Sequence, residues 1–332
     1  AERIQAPLTT TFMGLGSFPG THKLFLGMLG MHGTAYANHA TMEADLIIAV
    51  GARFDDRVTG RLDNFAPHSK VIHIDIDPSS ISKYVRVDIP IVGDAKNILI
   101  ELLKEIKKVP DTLEWLKGVE AWKKKHPLSY NRNSKVIKPQ YILEQLWDLT
   151  KGDAIICTEV GQSQMWACQW YKYLTPRTFI SSGGLGTMGF GFPAAIGAKL
   201  GCPKKEVFNI AGDGSIQMNI QELATCVASK LNVKVLIFNN GFLGMVRQWQ
   251  ELFYKKRYSY TPITSPDFVK LAQSYGAVGI RVTKKADVRK ALQKTIKTDN
   301  TVFVDFKIEP EENVWPMVPA GQAINDMIDG LA

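Results

Sequence analysis

Two stretches carry the fold of this chain: Val207-Phe208-Asn209-Ile210-Ala211-Gly212-Asp213-Gly214-Ser215 and Val233-Lys234-Val235-Leu236-Ile237-Phe238-Asn239-Asn240-Gly241. Each is a mostly apolar run that stops at polar residues and glycine, the pattern of a strand buried on both faces. Between them, Ile220 to Ala228 has helical spacing, so the pair reads as a βαβ unit with parallel strands. Neighbouring parallel strands end on the same side of their sheet, and ligands bind in the crevice beyond those ends. Asp213 and Asn240 are therefore expected to meet, although twenty-seven positions separate them.

Their chemistry suits one kind of ligand. Asp213 and Asn240 offer hard oxygens for Mg²⁺ or Ca²⁺, and two or three protein oxygens suffice for Mg²⁺ when phosphates and water supply the rest. Gly212 and Gly214 let the backbone approach an anion closely. The helix that follows Ser215 would point its N–H groups at that anion. A capped strand-to-helix turn at Asp213 and an ordinary Asn-Asn-Gly turn are the plainer alternatives. The spacing of the two elements favours a metal-bridged diphosphate site.

The same βα rhythm extends outward. In the second half, Ala154 to Cys157 reads as a strand, Gln164 to Tyr171 as a helix, and Phe268 to Tyr275, Val288 to Ile296 and Val302 to Ile308 continue the series. In the first half, Asp45 to Val50 reads as a buried strand ending at Gly51, and Val71 to Ile76 as a second strand. Ala95 to Lys107 reads as a helix with Ile98, Leu99, Leu102, Leu103 and Ile106 on one face. The Lys-rich stretch broken by Pro110, Pro127 and Pro139 reads as a linker. The expected division is a domain over 1–108, a helical linker over 109–138 and a second domain with a C-terminal tail over 139–332.

Composition limits the alternatives. The chain has 332 residues, 45% of them hydrophobic, and a formal net charge of +8. Its Lys and Arg are scattered; the densest run, Lys123-Lys124-Lys125-His126, reads as a solvated helix face, and no nucleic-acid-binding motif accompanies it. No apolar run approaches the roughly 18 residues of a membrane span. Ala1 to Pro7 holds no signal-peptide core and no Met, which suggests an internal start. Cys157, Cys168, Cys202 and Cys226 form no metal-ligand or Cys-x-x-Cys pair and read as reduced thiols. Gly184-Leu185-Gly186-Thr187-Met188-Gly189 fits the Gly-x-Gly-x-x-Gly pattern, but it lacks a long preceding strand and a ribose-binding acid. It reads instead as a loop that places Met188 and backbone groups beside the diphosphate site.

Gly212-Asp213-Gly214 with Asn239-Asn240 matches the thiamine-diphosphate signature. Further segments narrow the likeness: Gly161-Gln162-Ser163-Gln164-Met165-Trp166, Ser182 to Gly189, Gly244-Met245-Val246-Arg247-Gln248-Trp249-Gln250, Leu29 to Gly33 and Val50 to Gly60. From about Pro7 onward the chain resembles the acetohydroxyacid synthases, and within that family it resembles the second and third of three domains. The resemblance implies two doubly wound parallel-sheet domains, one of FAD-binding type and one binding thiamine diphosphate, with the pyrimidine-binding domain missing.

Site residues follow from the resemblance position by position. Asp213, Asn240 and the Phe242 carbonyl would hold Mg²⁺. Gln162, Ser163, Gly212, Gly214 and Ser215 would line the diphosphate; the family usually has His where this chain has Ser163. Met188 would wedge the cofactor into a bent shape, and the Gly186 carbonyl would accept from its aminopyrimidine. Met245, Val246 and Trp249 would form the substrate pocket. FAD would contact Met31, Gly51, Arg53, Asp55, Arg57, Asp75, Ile76, Gly93, Asp94 and Ala95, and Arg57 would also anchor the acceptor's carboxylate. Read without the family, Asp75 at a strand end is a plausible ribose acceptor, an Arg53–Asp56 ion pair is the plainer role for Arg53, and Met31 is a core residue.

The implied reaction decarboxylates pyruvate and transfers its two-carbon unit to pyruvate or 2-ketobutyrate, giving 2-acetolactate or 2-aceto-2-hydroxybutyrate for branched-chain amino acids. FAD would be structural. A homodimer or larger homo-oligomer, a regulatory small subunit and a cytoplasmic or organellar setting are likewise implied. Pyruvate oxidase, glyoxylate carboligase and a non-catalytic flavin or nucleotide module are the competing readings. The family's activating Glu belongs to its first domain, and no residue here substitutes for it; Glu159 is assigned a local structural role. The chain is thus expected to be a fragment of little activity by itself.

Overall fold

The computed structural model describes residues 1–330, so the end of the tail expected at 332 lies outside the described residues. Contacts divide the chain into two units: residues 1–12, 22–129 and the stretch from Trp315 form the first, and residues 13–21 and 130–314 the second. Read from the sequence, 109–138 was a linker and 315–330 part of the second domain. Among the described residues no helix is long and apolar enough to cross a membrane.

The first unit holds its strands in two parallel sheets rather than one. Strands β1 (Leu8–Thr10) and β2 (Phe25–Met28) pair with each other, and α1 (Ala35–Met42) follows. Strands β3 (Leu46–Val50), β4 (Lys70–Asp75) and β5 (Ile89–Val92) form the second sheet in that order, with α2 (Asp56–Thr59) after β3. Helices α3 (Ala95–Glu105) and α4 (Leu113–Lys125) close the unit. One face of the three-stranded sheet is well covered: Ala49 and Val71 pack with Met42, Phe54, Phe65, Val318 and Ile324. The expected linker helix is α4, and Val119 packs it onto Leu26, Ala37 and Ala40.

Two expectations fail on this sheet's other face. The Leu46–Val50 strand is not buried, because β3 is an edge strand; Leu46 is 44% exposed and Val50 38%. Helix α3 has no buried residue, and Leu99 and Leu103 of its apolar face are exposed. Period and composition report what a segment could bury, not whether a neighbour covers it.

The second unit is a six-stranded parallel sheet. After α5 (Pro139–Thr150) come β6 (Ala154–Thr158), α6 (Gln162–Trp170), β7 (Phe179–Ser181), α7 (Gly191–Gly201), β8 (Glu206–Gly212), α8 (Leu223–Ala228) and β9 (Lys234–Asn239). Then follow α9 (Gly244–Phe253), α10 (Phe268–Ser274), β10 (Val278–Val282), α11 (Val288–Lys297) and β11 (Val302–Lys307). The strand order is β10-β11-β9-β8-β6-β7. Chain-consecutive connections leave β6 and β8 in opposite directions along the sheet, which opens a crevice at their carboxyl ends.

Alternate residues of each central strand serve opposite faces. Cys157, Ala211, Val235, Ile237 and Phe303 pack with Phe192 of α7, Leu223 of α8 and Phe268 of α10. From the other face, Phe238 meets Trp166 of α6 and Phe306 of β11 edge-on or tilted. All of these side chains are nearly or fully removed from water. At about 25 cal/mol per Å² of apolar surface, such double-faced burial is the main force holding the strand ends in place. Helices α5, α7 and α9 and strand β10 had no counterpart in the sequence reading.

Candidate active site

Four strand ends of the second unit supply the site. The chain leaving β8 turns through Gly212-Asp213-Gly214-Ser215, with the Ser215 hydroxyl accepting from the Gly212 N–H at 3.1 Å. Asp213 is buried; its Oδ2 accepts from the Gly241 N–H and the Ser265 hydroxyl, both at 3.1 Å. Its Oδ1 is buried without a hydrogen-bond partner. Burial raises the Asp213 carboxyl above its ordinary value, offset in part by the Ser265 hydroxyl and neighbouring N–H groups. A buried, half-satisfied carboxylate is costly unless a cation completes it.

Asn240, just past β9, belongs to the same cluster. Its Oδ1 accepts from the Phe242 N–H at 3.1 Å, and its Nδ2 donates to Gln162 Oε1 at 3.4 Å. Amide oxygens have two lone pairs, so a second partner for Oδ1 is chemically open. Phe242 is bridged to Pro262 in antiparallel fashion, which holds the 241–243 turn against the Thr261–Ile263 segment.

The helix facing the Gly212 turn is not the one expected. Ile216–Met218 and Ile220–Glu222 are single 3₁₀ turns, and α8 starts only at Leu223. Instead, α6 begins at Gln162 and Ser163, directly after Gly161 with its φ of 142°. The Ser163 hydroxyl is buried without a partner, and a Cβ at Gly212 would lie 3.9 Å from it. Gln162 donates to the Gln248 side chain and to the Glu312 carbonyl, both at 2.9 Å.

Two glycines of the site lie close against neighbouring side chains. A Cβ at Gly214 would meet Ile263 and Leu243 at 3.0 Å, and one at Gly244 would meet Gln162 Oε1 at 2.1 Å. Ser265 escaped the sequence reading, whereas Gly244 and Gln248 entered it only as part of the motif that carries the family likeness, with no site role of their own.

The remaining expected residues divide. The loop after β7 presents Gly186, at φ 65°, and Met188, whose Cε lies 3.9 Å from where a Gly214 Cβ would sit. Helix α9 turns Arg247 and Gln248 inward and leaves Met245 and Trp249 half-exposed and Val246 exposed, with the Trp249 ring 5.1 Å from Phe253. In the first unit, Gly51, Asp75 with Ile76, and Gly93 with Asp94 and Ala95 mark the carboxyl ends of β3, β4 and β5. Asp75 is buried and Ile76 is 70% exposed. Asp94 caps α3 through the Asn97 N–H. Arg53 pairs with Asp55 at 3.1 Å, not with Asp56, because Asp55 already faces it as the cap of α2. Arg57 reaches the Met31 sulfur at 3.4 Å and is otherwise exposed.

The residues present fit a diphosphate with a divalent cation. One carboxylate leaves such a cation a positive charge for the anion to balance. Side-chain-free backbone at Gly212, the unpaired Ser163 hydroxyl and the N-terminus of α6 supply donors.

Comparison with known proteins points to thiamine pyrophosphate as the diphosphate. Residues 159–306 match the C-terminal TPP-binding domain of thiamine pyrophosphate enzymes, and residues 1–102 match their central domain. The chain is 50% identical over 335 residues to the acetolactate synthase large subunit of Haemophilus influenzae, spanning 99% of this chain and 58% of that protein. It is 46% identical over 336 residues to the acetolactate synthase isozyme 3 large subunit of Escherichia coli, at 98% and 58%. With that of Corynebacterium glutamicum it shares 47% over 338 residues, at 98% and 54%. The chain thus spans between half and two thirds of these relatives' lengths, and it belongs to the thiamine pyrophosphate enzymes, of which it carries the central domain and the C-terminal TPP-binding domain.

Proposed function

We propose that this chain is the cofactor-bearing part of an acetohydroxyacid (acetolactate) synthase, taking pyruvate as donor and pyruvate or 2-ketobutyrate as acceptor. The observation that carries the reading is the buried Asp213, with one oxygen unpaired beside the side-chain-free Gly212 turn and the α6 N-terminus. Asp213, Asn240 and the Phe242 carbonyl hold Mg²⁺, and Gln162, Ser163, Gly212, Gly214 and Ser215 hold the diphosphate. Thiamine diphosphate supplies the electron sink for loss of CO₂ from a 2-keto acid. The protein's part is to orient it: Gly186 and Met188 flank its rings, and Met245, Val246 and Trp249 bound the space for the acceptor.

FAD belongs, in this reading, to the first unit. Support comes from Gly51, Asp75 and Gly93 at three adjacent parallel strand ends, with Arg53, Asp55 and Arg57 beside them. Arg57 anchors the acceptor carboxylate. The H. influenzae and E. coli proteins are named large subunits, which supports a smaller regulatory partner here. Homo-oligomerisation and a cytoplasmic setting belong to the same reading.

The test is calorimetric titration of thiamine diphosphate into the purified chain, with and without Mg²⁺. Mg²⁺-dependent binding is expected; binding indifferent to Mg²⁺, or none, would overturn the reading. On a full-length enzyme, competition between pyruvate and 2-ketobutyrate separates a synthase, which prefers ketobutyrate as acceptor, from pyruvate oxidase or glyoxylate carboligase.

A further inference from the structure

Glu159 is a buried acid at the crevice that the diphosphate site does not use. It directly follows β6, is 0% exposed, and lies one residue before Val160-Gly161 and the start of α6. Its Oε2 accepts from the Gly189 N–H at 2.7 Å and its Oε1 from the Phe192 N–H at 2.8 Å. Burial raises its carboxyl, and the N–H groups of Phe192, Gly189 and Gly191 and the Asn209 side chain offset that in part. A buried carboxylate is expensive unless hydrogen-bonded, so these partners are what keep it there.

The backbone partners lie where one loop passes into α7. Residues 182–190 run from β7 to α7, and the tip is open to water, with Leu185 94% exposed. The entry to the loop is held by the Ser181 hydroxyl, which is bonded to Thr158 at 2.6 Å and to Gln164 at 2.7 Å. The exit is held at Gly189 from both sides. Its N–H goes to Glu159, and its carbonyl accepts from Asn219 Nδ2 at 2.8 Å. A Cβ on Gly189, at φ 89°, would lie 2.8 Å from both Asn219 Nδ2 and Met218 Cβ, so the exit lies flush against the connection from Asp213. Met188 is the residue immediately before this clamp, and Gly186 lies three before it. Gly191 is equally confined: a Cβ there would meet the Glu159 nitrogen and the Thr158 carbonyl carbon at 2.5 Å.

We propose that Glu159 is a positioning residue that sets the height of Met188 and the Gly186 carbonyl over the crevice, and so governs how the ring portion of thiamine diphosphate is held, independently of its diphosphate. The inference rests on the reading of Met188 and Gly186 given above. It assigns Glu159 no contact with the cofactor. The carboxylate acts through Gly189, and Asn219 does the same from the side of the metal-bearing turn.

The experiment separates ring from diphosphate. Affinities of the full chain for thiamine diphosphate and for inorganic pyrophosphate are measured with Mg²⁺ fixed, and their ratio is the ring increment. In Glu159→Gln an amide NH₂ replaces one acceptor and opposes a backbone N–H. Pyrophosphate affinity is expected to stay within about two-fold, while the ring increment falls about ten-fold, the size of one lost charge-assisted hydrogen bond. Asn219→Ala, which leaves Glu159 intact, is expected to give the same ring-selective loss more weakly and serves where Glu159→Gln does not fold. Equal losses of both ligands, or an unchanged ring increment in both variants, overturn the proposal. A wild-type chain that binds pyrophosphate with Mg²⁺ but shows no ring increment overturns the reading of Met188 instead.

Discussion

The carboxyl ends of β6, β8 and β9 and those of β3, β4 and β5 are built on the same device, parallel strands ending in glycine and acid, yet their surroundings differ. In the second unit the strands are covered on both faces, and the polar atoms at their ends are buried with valences left open: Asp213 Oδ1 and Ser163 Oγ. In the first unit β3 is an open edge, and most of the acids at the strand ends are occupied locally. Asp55 caps α2, Asp94 caps α3, and Asp75 accepts from the Asp77 N–H at 2.9 Å. A site whose groups are held apart and unsatisfied is preorganised for a ligand, whereas one whose groups satisfy each other must exchange those bonds on binding. On the proposed reading, the second unit offers open valences to a metal and an anion, whereas the first would have to exchange local bonds to take a nucleotide.

The sharpest way to break that contrast is Asp213→Ala. Removing this proposed metal ligand is expected to weaken Mg²⁺-dependent thiamine diphosphate binding by at least ~100-fold, the upper range seen for mere outer-shell changes. FAD binding, followed by flavin fluorescence, is expected to be unchanged. Loss of both would mean that the two sites are not independent.

Stability should divide in the same way. Arg247 is fully buried and donates to Glu251 at 2.5 Å, to Asn313 at 2.5 Å and to the Glu312 carbonyl at 2.9 Å. Glu312 is itself buried against Lys138 and Gln140. Arg247→Ala strands these partners and is expected to destabilise the second unit by about 3–5 kcal/mol, the cost of breaking a buried charge network. Urea unfolding read by hydrogen exchange in residues 130–314 measures it. A cost below about 1 kcal/mol would mean that water reaches this network and that the second unit is less closed than its burial indicates.

Acid should act on the first unit. All six histidines lie between residues 22 and 126. Burial pushes the His32 imidazole down to about 4 from 6.5, and burial together with the nearby His126 lowers His39. A histidine with a depressed folded value contributes stability that is present above its unfolded value and lost as pH falls toward the folded one. The first unit is therefore expected to lose about 3 kcal/mol between pH 6.5 and 4 through His32, at 1.36 kcal/mol per unit. In the second unit Glu159 shifts the other way: its raised carboxyl lets the folded state take up a proton first, so acidification in the same window favours folding there. Asp148, held low by its hydrogen bond with Lys151, and Asp267, by the one from the Lys270 N–H, stay ionised through most of that window. Hydrogen exchange at pH 7 and 5 should show protection falling in residues 22–129 alone; an equal fall in both units would refute the assignment.

How far sequence could see follows the same division. The strands β8 and β9, with Asp213 and Asn240, were legible because a strand covered on both faces must be apolar throughout and stop abruptly where it becomes polar. Helix α7 was hidden by Gly191, Pro193 and Gly197. Pro is tolerated in a first helical turn, and Gly191 is required by its approach to the Glu159 backbone, so propensity misreports a helix specified by tertiary contact. Strand β10 is interrupted by Gly279 and carries Arg281, which is paired with Asp267 and Asp305, the mixed pattern of an edge. The exposure of α3 and β3 was illegible in principle, since their sequences are those of covered elements.

Arg53 is the first unit's counterpart to Arg247, and the difference in their burial forecasts the smallest effect. Its pair with Asp55 spans 3.1 Å, but the Arg53 side chain is 69% exposed, so water and salt screen the interaction. Asp55 keeps its other role, accepting from the Arg57 N–H as the cap of α2, whether or not Arg53 is present. Arg53→Ala is therefore expected to change stability by less than ~1 kcal/mol, the usual worth of a surface ion pair. Its effect should fall on ligand instead: a guanidinium held only by an exposed acid can turn to a phosphate at little cost, so FAD affinity is expected to drop about ten-fold, one charge-assisted hydrogen bond. Thermal melting and flavin titration on the same variant resolve the two. A stability loss comparable with that of Arg247→Ala would place Arg53 in the framework of the first unit and not at its ligand-facing surface.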